Sequence, residues 1–210
     1  LETLLHELGH AVYDKNVDRA LPWSLRTHAH ILTTEAAAML HGRRGRDGAF
    51  LARYAGVPHD VAHAPENTRT HRRSMLVFAG WVQVMVRFEQ ALYADPGADL
   101  ATTWWDLVER YQRLARPPVV EPHGWAGKIH LALSPVYYHD YLLGELLASQ
   151  LEETIEAETG SRSPAADPAR AGAILRERLF APGATLRWDA LVTSATGAPL
   201  DVDAFARELS

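Results

Sequence analysis

The chain contains no cysteine, no long uninterrupted apolar run and no stretch of alternating apolar and polar residues. The first absence excludes disulfides and thiolate metal ligands, so a metal site must be built from His, Asp or Glu. The second excludes a bilayer-spanning helix, which needs roughly eighteen or more consecutive apolar residues. The third leaves no strand to predict. Positive charge is also short: 21 basic against 26 acidic residues give a net charge of −5, the wrong sign for a nucleic-acid or anionic-membrane surface. No signal peptide is visible, and Leu1 is not a natural start residue, so this end carries no information on compartment.

What is present is enough for one sizeable core, with 47% hydrophobic residues over 210 positions. Leu4, Leu5, Leu8, Ala11 and Val12 recur at helical spacing and predict a helix over 2–16. Ser24 is a good N-cap, and a second helix is expected from there to Gly42. "HGRRGRDG" reads as a solvated loop. Further helices are expected over about 66–94, 98–115, 134–160, 167–180, 187–195 and 201–209, with Ser134-Pro135 as N-cap and first helical proline, and Asp201 as the last cap. The expectation is an all-α, single helical domain over 1–210.

The chemistry is concentrated in "HELGH". His6 and His10 are one helical turn apart, so both rings leave one face and can share an ion. Glu7 lies on the flank of that face, within reach of water at the ion. Neutral imidazoles suit zinc, and a catalytic zinc needs three protein ligands and one open position. Eleven histidines make on the order of 0.03 chance matches to this spacing. The third ligand must come from elsewhere. Glu35 on the next helix is one candidate; His28, His30 and His41 compete with it.

The ordered set of motifs resembles the angiotensin-converting enzyme family of zinc dipeptidyl carboxypeptidases. "HELGH" is similar to its zinc helix, and "LPWSLR…E" to the connection that ends on its zinc glutamate, here Glu35. "WWDLVERYQRLARPP" (104–118) and "GKIHLALSPVYYHDY" (127–141) are similar to two later segments of that family. The thimet-oligopeptidase family is the nearest rival. The resemblance implies a gluzincin-type helical metallopeptidase with zinc on His6, His10 and Glu35 and Glu7 as general base. It also implies Tyr141 as oxyanion donor, Lys128 and Tyr138 as holders of a peptide substrate's C-terminal carboxylate, and His130 as donor to a substrate carbonyl. Three departures stand out. Met39 replaces an acid that would orient a zinc histidine, Asp140 replaces a chloride-responsive arginine, and Glu145 replaces an aromatic lining residue. In that family the zinc helix lies well past the middle of the chain. The 210 residues are therefore expected to be a C-terminal part that pairs with a missing N-terminal half or dimerises. The alternatives are an internally cutting oligopeptidase and a non-catalytic module that binds zinc or peptide.

Overall fold

The computed structural model describes residues 1–119 and 121–210. Among them lie eleven α-helices and no strand: α1 (Glu2–Asn16), α2 (Ile31–Gly42), α3 (Gly48–Tyr54), α4 (His59–Ala62), α5 (Pro65–Ala94), α6 (Leu100–Gln112), α7 (Ile129–Leu133), α8 (His139–Thr159), α9 (Pro168–Leu175), α10 (Trp188–Thr196) and α11 (Asp203–Leu209). The all-helical expectation holds. The chain divides into two compact units, Leu1–Arg72 with Leu143–Ser210, and Arg73–Leu142.

The first unit is built around α2. Its buried run Leu32–Ala38 is mostly small residues, which lets neighbouring backbones come close. At Gly9 of α1 an added Cβ would stand 2.6 Å from Ala38 Cα and 2.9 Å from Ala37 O. At Gly144 of α8 it would stand 2.9 Å from Glu35 Cβ. Only glycine permits either approach. One turn beyond Gly9, buried Tyr13 packs against Phe180 with ring centroids 5.0 Å apart and tilted by 52°, in a core shared with Leu40, Leu147, Leu151, Ile174 and Leu191.

The helix expected from Ser24 starts seven residues later. Ser24 serves only a short 3₁₀ turn, Trp23–Leu25. His30 is the real cap: its backbone is extended (φ −161°, ψ 158°), its ring accepts from Leu32 N–H at 3.2 Å, and Thr33 Oγ1 donates to its carbonyl at 2.7 Å. The bond from Leu32 satisfies an N–H that the first helical turn would leave open.

The arginine stretch is not a solvated loop either. Arg43 and Arg44 are buried in a 3₁₀ turn, Arg43–Arg46. The Arg43 guanidinium donates to Glu145 Oε2 at 2.6 Å, to Glu152 and Glu208 at 3.0 Å, and to Ser149 Oγ at 3.1 Å. Arg44 pairs with Asp47 and Glu152. Burial opposes the ionised form of Glu208, but His71 and Arg43 outweigh it and hold its carboxyl down at about 2. Glu145 is thus a buried partner of Arg43.

The second unit has a separate aromatic core of Val84, Met85, Phe88, Trp104 and Val108, flanked by Trp81, Trp125 and Tyr138. The helix expected from Ser134 is interrupted here. Val136 adopts φ 56°, a left-handed conformation that a β-branched residue reaches only under strain. Its N–H donates to the buried carboxylate of Glu89 at 2.6 Å. Helix α8 therefore begins at His139, after this turn.

Replacing Gly9 by alanine is expected to force α1 off α2 and to lower stability by about 1–3 kcal/mol, the usual range for overpacking. Thermal unfolding followed by circular dichroism measures it, and an unchanged midpoint would show that the helices separate without loss.

Candidate metal centre

Helix α1 presents His6 and His10 from successive turns, with ring centroids 5.1 Å apart and nearly perpendicular. Helix α2 brings Glu35, which is 1% exposed. His6 Nε2 lies 3.6 Å from Glu35 Oε2, and His10 Nε2 lies 3.9 Å from Glu35 Oε1. One ligand atom from each of the three residues can be chosen so that all lie within 4.8 Å of one another. Tetrahedral zinc with bonds of about 2.0–2.1 Å sets its ligand atoms roughly 3.3 Å apart, so small side-chain adjustments close the shell. Desolvation lowers the pKa of both His6 and His10, against the opposing pull of Glu7. Lowered values keep the rings neutral near pH 7, the form that ligates. Two neutral imidazoles and one carboxylate suit a divalent cation, so the residues fit the metal.

The rivals for the third position are used otherwise. His30 caps α2. His41 Nδ1 is 2.7 Å from Ala37 O, a helix-internal contact. His28 stands edge-on to Tyr13 at 6.3 Å. Glu7 is exposed on α1, between the two histidines in sequence.

Thr34 was not expected from the sequence. Its Oγ1 lies 2.8 Å from His10 Nδ1. The sequence signal was faint: a hydroxyl residue directly before the candidate glutamate.

The later residues gather within the second unit. His130 Nε2 is 3.1 Å from Tyr141 OH. The His130 ring lies 4.8 Å from that of Tyr138, and Tyr138 lies 5.2 Å from Tyr141. Tyr138 precedes α8 instead of sharing its face with Tyr141, yet the two rings still meet. Trp81 Nε1 donates to Tyr138 OH at 2.9 Å; the phenol keeps its own proton to donate. Lys128 Nζ sits over the ring of Trp81 at 5.2 Å and of Trp104 at 6.0 Å, within range of a cation–π contact. Asp140 is buried beside His139.

No protein-family model and no curated protein sequence matches the chain. Its structure is similar to that of the M32 carboxypeptidase from Deinococcus radiodurans R1, at 25% identity and TM-score 0.79, covering 100% of this chain and 47% of that one. It is also similar to Pyrococcus furiosus carboxypeptidase (22%, TM-score 0.75, 98% of this chain and 46% of that one). Trypanosoma cruzi metallocarboxypeptidase 1 is a third (20%, TM-score 0.74, 98% and 48%). The fold is therefore that of the helical metallocarboxypeptidases, and the chain spans about half the length of these neighbours. None of the three is named as an angiotensin-converting enzyme or a thimet oligopeptidase; the comparisons support the helical fold that the resemblance implies and not that particular family.

Glu35→Ala is expected to abolish most zinc binding in full-length protein, because it removes the one carboxylate of the triad. Metal analysis after dialysis tests this. Undiminished zinc in that variant would move the third ligand elsewhere.

Proposed function

We propose that the protein is a zinc-dependent peptidase acting at the free C-terminus of peptides. The observation that carries this reading is the convergence of His6, His10 and Glu35 donor atoms within 4.8 Å. The named neighbours support it, since all three are carboxypeptidases. A bound zinc ion supplies Lewis-acid polarisation of the scissile carbonyl and lowers the pKa of water at the site.

The chain's own residues do the remainder. His6, His10 and Glu35 hold the ion, and the buried position of Glu35 keeps its carboxylate shielded from bulk water. Glu7 takes the proton of the attacking water and returns it to the leaving amine. Tyr141 donates to the oxyanion that develops on the carbonyl, a role worth several kcal/mol where such donors have been removed. Lys128 and Tyr138 receive the substrate's terminal carboxylate, the lysine by charge and the phenol by its O–H, and His130 donates to a backbone carbonyl. These four roles rest on the family resemblance.

The resemblance implies release of dipeptides, and the mass of the first product separates that from release of single residues. Association is part of the proposal. Leu1, Leu4 and Leu8 are 62%, 68% and 50% exposed, and the apolar face they form on α1 suits a second copy or further polypeptide of the same protein.

Glu7→Gln should retain zinc and lose about 10²–10⁴-fold in kcat, because a proton acceptor and not a ligand is removed. Loss of metal in that variant would make Glu7 structural. A peptide amidated at its C-terminus should resist cleavage several-fold or more relative to the free acid. Equal cleavage of the two would establish an internal cutter, and zinc binding without any turnover would establish a binding module.

A further inference from the structure

The two threonines at the start of α2 have different duties. Thr33 Oγ1 donates to the His30 carbonyl at 2.7 Å and belongs to the helix cap. Thr34 Oγ1 instead meets a side chain 24 residues away, His10 Nδ1, at 2.8 Å. The opposite nitrogen of that ring, Nε2, is the one turned toward Glu35. A histidine that ligates through Nε2 keeps its proton on Nδ1, and that proton needs an acceptor. Thr34 is buried, so its rotamer is held by the packing of α2 and its oxygen stays where the ring needs it.

We propose that Thr34 is a positioning residue of the metal centre: its hydroxyl accepts the Nδ1 proton of His10 and fixes the tautomer and ring angle. The inference rests on the metal reading above and adds a second group to it. Helix α2 then supplies a ligand and the acceptor that orients another ligand from consecutive residues. The acceptor is neutral, so the triad keeps a charge of −1 from Glu35 alone. A second carboxylate so close to Glu35 would add repulsion whenever the ion leaves.

The test is zinc affinity of the metal-free full-length protein, measured by competition with a chromogenic chelator, for the wild type, Thr34→Val and Thr34→Ser. Valine keeps the shape and removes the acceptor; serine restores it. Loss of a group that orients a ligand typically weakens metal binding by about 10–100-fold, and that is the expected fall for valine, with serine within a few-fold of wild type. Visible spectra of the cobalt-loaded proteins should change for valine and not for serine. Equal affinity of the valine variant and the wild type would overturn the inference while leaving the metal site intact. A serine variant as weak as valine would overturn it too, because the hydroxyl would not be the cause. If the valine variant does not fold, as judged by circular dichroism, Thr34→Ala takes its place with the same expectation. A wild type that binds no zinc would instead sink the metal reading itself.

Discussion

Helix α2 has to run within contact distance of two neighbours at once, and that constraint organises the first unit. Backbones approach this closely only where side chains are absent, so glycine appears on the partner helices at positions 9 and 144. On α2 itself Ala37 and Ala38 face Gly9, and Glu35 and Ala36 face Gly144. The consequence is chemical as well as steric. With α1 held on α2 at Gly9, the flanking histidines on α1 are brought to the glutamate and threonine of α2 without any long side chain having to reach.

The same unit buries an unusual amount of charge at the other end of α2. Removing Arg43 from water costs several kcal/mol unless its donors are met, and its five N–H groups face three carboxylates and a hydroxyl. A guanidinium suits this better than an ammonium, because its planar fork meets several acceptors at fixed angles. Arg43 is kept buried because its counterparts are supplied by two other helices, α8 and α11.

The parts of this structure that were legible in the sequence are those encoded over a turn or two. The HExxH spacing is local, so the histidine pair and its helix were readable, and so were the long helices α5 and α6. The start of α2 is not legible, because Ser24 is a good cap by residue type whereas the true cap depends on the rotamer of His30 and the hydroxyl of Thr33. The fate of Arg43 had no local signal at all: its partners Glu145 and Glu208 lie more than a hundred residues further along the chain. Thr34 was invisible for the same reason on a smaller scale. Ser134-Pro135 looked like a helix start, and only the buried carboxylate of Glu89, drawing on the N–H of Val136, shows why the helix waits until His139.

The closeness of α1 and α2 also bears on how metal and polypeptide are coupled. In small zinc-binding modules the ion creates the fold, and chelation destroys it. Here the spacing between the candidate ligands is set by glycine–alanine contact and by a core of Tyr13, Leu40, Leu147 and Leu151. Little ordering is left for the ion to do. A divalent ion held by His6, His10 and Glu35 would then leave this packing in place when it departs.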